Sequence, residues 1–260
     1  MLILTPIGGL CNRMRAINSA LTLAERRGEK LKVIWNVSPE LGCPFEELFL
    51  PTDAFTLRNI HSPWDPVKLF YQFTSRRIGN EEIRSSRDEN GLPDSFVNSL
   101  PPRLYIATEE HFFKSRGYSA FVPAPDIRLR ADEILHSRPG RKVGVHIRRT
   151  DNRPAISGSS TDAFVQAMDA QLQSNPDTVF YLATDDMTEE AALRARFPDR
   201  ILSNEGRDLS RDSISGIRDA LLDLICLSET DMIIGSYFSS FTDIAADMRG
   251  IPKIIAGQKA

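Results

Sequence analysis

Residues 146–151, with the sequence His-Ile-Arg-Arg-Thr-Asp, combine two adjacent arginines with a histidine and an aspartate. They follow residues 142–145, an apolar run typical of a buried strand. Open α/β sheets bind ligands at the carboxyl ends of their strands, where Arg148 and Arg149 could bind phosphate oxygens without a metal. An ordinary Arg–Asp surface pair is the alternative. The position and the flanking His146 favour an anion site in which Asp151 orients one arginine.

A glycine-rich turn near the N-terminus, residues 8–13, is a second place where an anion could bind. It lies between an apolar strand at residues 2–5 and a predicted helix at 12–27, and a strand at 31–35 completes a βαβ unit. Backbone N–H groups at such a helix start could bind an anion or a sugar hydroxyl. The glycines could equally serve only to relieve crowding in the turn.

Asp223 is the one carboxylate in residues 220–227, two helical turns that are otherwise apolar on every side. Such a helix is normally buried, and a buried carboxylate needs a partner to offset its desolvation. That partner could be an arginine such as Arg218, or the N–H groups of a ligand such as a guanine ring. The residues leave both interpretations open.

Two further predicted strand ends carry polar residues that lead into helices, at residues 183–186 and 235–242. Ser239 and Ser240 are natural helix caps, and at a helix N-terminus they would equally suit a phosphate. Asp185 and Asp186 could attract a divalent cation, but no third carboxylate accompanies them. We therefore assign this pair to capping and hydrogen bonding and predict no metal site.

The hydrophobic pattern predicts an α/β protein with two domains, residues 1–130 and 131–260. The second domain alternates five strands with helices, the pattern of a doubly wound, Rossmann-like sheet. We expect two such α/β domains to face each other across a cleft. Residues 51–102 are less regular, and their aromatic cluster suggests packed helices rather than sheet. The cluster consists of Trp64, Phe70, Tyr71 and Phe73.

The composition is that of an ordinary globular protein, with 41% hydrophobic residues and a net charge of -3. Such a charge gives no bulk attraction to nucleic acid or to an anionic membrane, so a phosphorylated ligand needs a local basic site. The three cysteines are spaced too irregularly for a zinc site and indicate reduced thiols. No signal peptide or membrane-spanning run is recognisable, so we predict a cytoplasmic protein with no nucleic-acid partner and no integral membrane segment.

Taken together, these motifs resemble those of the GDP-fucose-using fucosyltransferase superfamily. This superfamily includes α-1,6-fucosyltransferases, nodulation fucosyltransferases and protein O-fucosyltransferases. Residues 146–151 match the first motif of the α-1,6 enzymes nearly residue for residue. Residues 223–228 and 231–240 are similar to the second and third motifs, and residues 9–13 are similar to the N-terminal glycine-Asn loop. The resemblance extends over residues 142–250 and, in the N-terminal half, through residue 36.

This resemblance implies a GT-B fold and an inverting, metal-independent transfer of fucose from GDP-fucose to a glycan or glycoconjugate hydroxyl. No cofactor other than the donor substrate is implied. Arg148 would bind the β-phosphate and stabilise the leaving GDP, Asp223 would bind guanine, and Asn12 would lie near the reacting carbon. The donor-binding residues would be Gly9, Arg13, His146, Arg149, Asp151, Asp223, Ser239 and Ser240.

The catalytic base is where the sequence departs from the family. The α-1,6 enzymes have a glutamate shortly after the first motif, whereas residues 152–160 contain no carboxylate. Residues 161–164 are similar to the family's next segment with one residue deleted, which implies Asp162 as the base. The alternative is that Asp162 is simply an acidic residue in the first turn of a helix.

Two hypotheses compete with this function. One is a non-catalytic GDP-sugar-binding protein of this fold, which the missing glutamate suggests. The other is a metal-dependent transferase using Asp185 and Asp186.

Overall fold

The computed structural model describes residues 1–115, 117–150 and 158–258. The chain is a mixed α/β protein with two five-stranded sheets, and all strand pairs within each sheet are parallel. It divides into two compact units. The first comprises Met1–Ala124 and Ser210–Arg218, and the second comprises Pro125–Leu209 and Asp219–Ala260. The predicted α/β class with parallel sheets is confirmed.

The first unit contains a sheet with the strand order β3-β2-β1-β5-β4. Its elements are β1 (Leu2–Pro6), α1 (Leu10–Arg27), β2 (Leu31–Asn36), β3 (Phe55–Ile60), α2 (Pro66–Thr74), β4 (Arg76–Ile78), α3 (Asn80–Ser86), α4 (Asp94–Ser99) and β5 (Leu104–Thr108). Strand β1 is buried along its whole length because it lies in the middle of the sheet. Helix α1 ends at Gly28, whose φ of 62° is a left-handed conformation that glycine adopts without strain.

The second unit contains a sheet with the strand order β10-β9-β6-β7-β8, so β6 is central. Its elements are α5 (Pro125–His136), β6 (Lys142–Ile147), α6 (Thr161–Ser174), β7 (Val179–Thr184), α7 (Met187–Arg196), β8 (Ile201–Leu202), α8 (Ile214–Ser228), β9 (Met232–Gly235), α9 (Ser240–Arg249) and β10 (Lys253–Ile255). The first residues of α8, through Arg218, cluster with the first unit. The core includes Val143, Val145, Phe164, Phe180 and Ile234.

For residues 51–102 the predicted helices are present as α2, α3 and α4, but the prediction that the segment contains no sheet is wrong. Strands β3 and β4 lie in this segment, one at each edge of the first sheet. Edge strands are partly exposed and lack the continuous apolar run of a central strand, which is why the pattern concealed them. The aromatic cluster does not form a buried core: the Phe70 and Tyr71 rings lie 5.5 Å apart, but Trp64, Phe70 and Phe73 are 76%, 54% and 86% exposed.

No helix among the described residues is long and apolar enough to cross a membrane.

Candidate functional site

The carboxyl end of β6 is where three of the predicted motifs meet. His146 is paired with Ala183 of β7 on one side and with Gly235 of β9 on the other. Because all three strands are parallel, the residues that follow them emerge at the same edge of the sheet. Segments 146–150, 184–186 and 235–242, which are far apart in sequence, are thus brought together.

Asp185 fixes the loop that follows β6. Its carboxylate accepts hydrogen bonds from the Arg149 N–H at 2.7 Å and from the Thr150 hydroxyl at 2.7 Å. It also pairs with Nε of Arg148 at 3.3 Å. These contacts account for a carboxylate at position 185 without a metal ion. It orients Arg148, a role that the sequence assigned to Asp151, which lies outside the described residues.

Asp186 caps helix α7, as the sequence predicted for this pair. Its Oδ1 accepts from the N–H groups of Thr188 at 2.8 Å and Glu189 at 3.3 Å. Across residues 1–115, 117–150 and 158–258, no group of three or more His, Cys, Asp or Glu side chains is placed to bind a metal.

Arg148 presents a charged side chain at the edge of the second sheet. Its backbone N–H donates to the hydroxyl of Ser236 at 3.0 Å, and the N–H of Ser236 in turn bonds to the carbonyl of His146. The side chain is 25% exposed. The backbone of Arg148 is thus fixed by a buried serine, while its side chain pairs with Asp185 and stays partly exposed.

Arg149 has a different environment from its neighbour. Its guanidinium group pairs with Glu189 at 3.0 Å, donates to the carbonyl of Ser159 at 2.9 Å and lies 5.7 Å from the Phe164 ring. Only 11% of the side chain is exposed. The two adjacent arginines therefore differ in environment. Arg148 is partly exposed, whereas Arg149 is largely buried and contacts α6 and α7.

His146 is buried against the start of α9. Its ring stacks on Phe241 with a centroid distance of 4.8 Å, and Nδ1 lies 2.9 Å from the Thr242 hydroxyl. Burial, reinforced by the charge of Arg148, lowers the pKa of His146 to about 3. The imidazole is therefore neutral at physiological pH and can offer one donor and one acceptor.

We expect the imidazole of His146 not to titrate between pH 5 and pH 8, because its pKa lies well below this range. Long-range ¹H–¹⁵N spectra of the protein across these pH values would show one neutral histidine whose shifts stay constant. The variant His146→Gln should lack this resonance. A resonance lost in this variant that moves with a midpoint near the ordinary histidine pKa would contradict the burial argument.

Asp223 has a tyrosine as a partner, where the sequence had left open an arginine such as Arg218 or the N–H groups of a ligand. Its Oδ1 accepts from the Tyr181 hydroxyl at 2.5 Å, whereas Arg218 donates to the backbone carbonyl of Glu47. Asp223 is 7% exposed, and burial raises its pKa to about 7, with the Tyr181 hydrogen bond opposing this shift. Sequence reasoning missed Tyr181, although a tyrosine within a fully buried strand signals a need for a hydroxyl partner.

The start of α9 lies directly against the end of β9. A side chain at Gly235 would come within 2.2 Å of Cγ2 of Thr242, so only glycine allows this approach. Ser239 occupies the N-cap position, yet within the described part of the chain its side chain makes no capping hydrogen bond. Its hydroxyl instead lies 3.5 Å from Nδ1 of His146. Ser240 is the first residue of the helix.

The glycine-rich turn of the first unit has a left-handed residue at Gly8, with φ of 77°. A side chain at Gly8 would lie 2.9 Å from Nδ2 of Asn12, so glycine also leaves room for this amide. Asn12 donates to Oε2 of Glu109 at 3.3 Å. Gly9 is the N-cap residue of α1 and faces open space. Sequence reasoning missed Glu109, which follows β5, the parallel neighbour of β1.

Arg13 is buried beneath this turn, with only 1% of the residue exposed. It donates to the carbonyls of Gly8 at 2.8 Å and Asn36 at 2.5 Å, and it lies 4.9 Å from the Trp35 ring. Desolvation by burial lowers its pKa to about 10, and nearby Glu40 opposes this shift. Arg13 thus fixes the shape of the turn through backbone carbonyls.

Asp162 is an exposed residue in the first turn of α6. The helix is capped by Ser160, whose hydroxyl accepts from the N–H of Ala163 at 3.2 Å. A carboxylate at this position interacts favourably with the helix dipole. It is also accessible to a ligand.

The chain is thus a parallel α/β protein that carries a partly exposed arginine, Arg148, and a buried carboxylate, Asp223, in the same unit. No family model and no curated relative matches the sequence. Among solved structures, the chain is similar to the NodZ α-1,6-fucosyltransferase soaked with GDP-fucose, with a TM-score of 0.65 and 18% identity over 95% of this chain and 92% of that one.

Two further solved structures are similar to this chain. Fucosyltransferase NodZ from Bradyrhizobium matches with a TM-score of 0.61 and 18% identity over 94% of this chain and 91% of that one. POFUT1 in complex with GDP-fucose matches with a TM-score of 0.60 and 12% identity over 99% of this chain and 98% of that one. The chain therefore has the fold of these fucosyltransferases, and the resemblance inferred from the motifs is confirmed at the level of the fold.

Proposed function

We propose that this protein is an inverting, metal-independent fucosyltransferase that moves fucose from GDP-fucose to a hydroxyl of a glycan or glycoconjugate. The observation that carries the proposal is the placement of Arg148. This partly exposed cation is fixed at the carboxyl end of the central strand by Ser236 and Asp185. Enzymes with this fold include proteins whose structures contain GDP-fucose.

Arg148 would bind the β-phosphate of the donor and stabilise the charge that develops on GDP as the bond to fucose breaks. A preorganised guanidinium group can supply this stabilisation without a metal. Arg149 would assist by bracing the same loop through its pair with Glu189. Ser239 and Ser240, at the start of α9, would donate to phosphate oxygens next to the positive end of the helix dipole.

Asp223 would bind the guanine ring, whose N–H groups are matched donors for a carboxylate. Its orientation is fixed by the hydrogen bond from Tyr181. His146, neutral and stacked on Phe241, would line the nucleotide pocket. A buried carboxylate with a raised pKa and a clear orientation is typical of a functional site.

The acceptor side is proposed to lie in residues 1–130, and the donor side in residues 131–260. Asn12 would lie near the reacting carbon, in a position maintained by its hydrogen bond to Glu109. Gly9 and Arg13 would maintain the turn that carries Asn12. Asp162, exposed at the start of α6, is the proposed base for the acceptor hydroxyl.

A thermal-shift screen with GDP, UDP and ADP tests the donor class. A ligand at about 100 times its Kd stabilises the folded state by about 2.7 kcal/mol. For a chain of this size, such a gain raises the melting temperature by several degrees. We expect this shift with GDP, a much smaller one with UDP or ADP, and no change on adding EDTA. An unchanged melting temperature at millimolar GDP would refute the proposal.

A GDP-release assay with GDP-fucose, run beside the thermal-shift screen, separates the two competing hypotheses. A metal-dependent transferase would release GDP from GDP-fucose only after manganese is restored to chelated protein. A non-catalytic binding protein would show the GDP shift and yet release no GDP from GDP-fucose above background.

A further inference from the structure

Helix α2 presents an aromatic surface that the proposed chemistry does not use. Within this nine-residue helix no residue is fully buried, and Phe70 and Phe73 are 54% and 86% exposed. Trp64, just before the helix, is 76% exposed. Three large aromatic side chains in ten residues at such exposure are unusual for a surface that contacts only water.

The orientation of α2 shows that this surface faces away from the protein. Tyr71 packs against the cluster formed by Ile3, Ile34, Ile60 and Tyr105, and Gln72 donates to the Tyr105 hydroxyl at 3.3 Å. At 3.6 residues per turn, Phe70 and Phe73 lie on the opposite face of the helix from Tyr71 and Gln72. The helix is therefore anchored to the sheet on one side, and its aromatic side is largely exposed.

The surroundings of α2 are basic, although the whole chain has a net charge of -3. Between residues 58 and 77 there are four cations, Arg58, Lys68, Arg76 and Arg77, and one carboxylate, Asp65. Two more cations come from elsewhere in the chain.

The two additional cations contact the aromatic residues of α2. The guanidinium group of Arg103 lies 5.8 Å from the Phe70 ring, and the amine of Lys32 lies 5.2 Å from the Tyr71 ring. Some of the local charge is neutralised, since Arg58 pairs with Asp65 and Arg76 pairs with Glu82. Cations still outnumber carboxylates around the helix.

We propose that the α2 surface, defined by Trp64, Phe70 and Phe73 with Arg76 and Arg77, docks this protein on a membrane rich in anionic phospholipid. Aromatic rings partition to the interface between headgroups and acyl chains, and lysine and arginine are attracted to acidic headgroups. Interleaved aromatic and basic side chains match both parts of such an interface. This inference does not depend on the proposed sugar-transfer activity.

The two tryptophans of the chain make the test direct. Trp35 is fully buried, whereas Trp64 is 76% exposed, so a change in emission caused by lipid contact should come from Trp64. The intact protein is mixed with vesicles of phosphatidylcholine, or of phosphatidylcholine and phosphatidylglycerol. We expect a blue shift with the anionic vesicles only, and its loss at high salt, where surface charges are screened. The variant Trp64→Phe should retain vesicle binding but lose the shift.

Vesicle sedimentation then measures how much the basic and the aromatic side chains each contribute to membrane binding. Arg76→Gln combined with Arg77→Gln should weaken binding about 30-fold, from the attraction of two charges near an anionic surface. Phe73→Ser should weaken it about tenfold through lost interfacial burial. The matched controls are Leu129→Ser, which removes from α5 an apolar side chain that is 63% exposed, and Arg249→Gln with Lys253→Gln, which removes two cations from the second unit.

Two results would overturn the inference. One is an unchanged Trp64 emission in the presence of anionic vesicles. The other is a concentration-dependent dimer that Phe73→Ser dissociates, because a second copy of the chain would then be the occupant of the surface. Melting temperatures equal to that of the parent protein would show that the variants are folded, which is expected since the substituted side chains are exposed.

Discussion

Replacing Arg148 by alanine is expected to lower the rate of GDP release from GDP-fucose by about 10³-fold, the effect of removing one preorganised donor from a developing anion. The melting temperature should change by less than about 2 °C, because the side chain is partly exposed. Arg148→Lys should recover only part of the loss, since an ammonium group lacks the planar fork that matches phosphate. The measurement is GDP release at saturating donor, which needs no knowledge of the acceptor.

Two matched variants make this result interpretable. Arg249→Ala removes a surface arginine from α9 that pairs with Glu229, and it should leave GDP release unchanged. Arg149→Lys should instead lower the melting temperature, because it disrupts the contacts of a largely buried guanidinium group with Glu189 and Ser159. If Arg148→Ala kept a third or more of the parent rate, Arg148 would not be the residue that stabilises the leaving group.

Asp223→Asn is expected to weaken GDP binding about 100-fold at pH 8.5, since two hydrogen bonds to a charged acceptor are lost. In the parent protein, GDP binding should also weaken as the pH falls below about 7, the pKa of Asp223, because the protonated carboxyl cannot accept both guanine N–H groups. Binding near pH 7 should therefore release protons. Titration calorimetry in buffers with different ionisation enthalpies measures that release, which should be absent in Asp223→Asn.

The same substitution should have the opposite effect on stability. Burial raises the pKa of Asp223 from 3.8 to about 7, so between these pH values the folded protein binds more protons than the unfolded chain. The contribution of Asp223 to stability is therefore complete below about pH 4 and is lost as the pH rises through about 7. Asp223→Asn should accordingly melt at a higher temperature than the parent at pH 8.5, with little difference at pH 5.

Tyr181→Phe is the control that separates guanine binding from general damage. It removes the hydrogen bond that favours the ionised form of Asp223, so the pKa of Asp223 should rise further. GDP binding should then be weakened more at pH 7 than at pH 9. Equal weakening at both pH values, or an Asp223→Asn variant that binds GDP as tightly as the parent, would argue against guanine contact by this carboxylate.

Several elements followed from local sequence alone. The central strands β1, β6 and β9 are continuous apolar runs, and such runs are characteristic of strands buried on both faces of a parallel sheet. The alternation of these runs with helical segments determined the α/β class and placed Arg148 at a strand end. Asp223 was identified because one carboxylate interrupts an otherwise apolar helix. These inferences needed only residue type and spacing.

The tertiary structure decided the partners. Nothing near Arg148 or Arg149 in the chain indicates that the first pairs with Asp185 while the second pairs with Glu189, since this depends on which elements pack beside β6. The Asp223–Tyr181 contact joins residues on different elements and could not be distinguished from a pair with Arg218. The edge strands β3 and β4 were missed because their partly exposed residues form no continuous apolar run. Partners and exposure are set by which elements become neighbours in space, and periodicity along the chain carries no information about that.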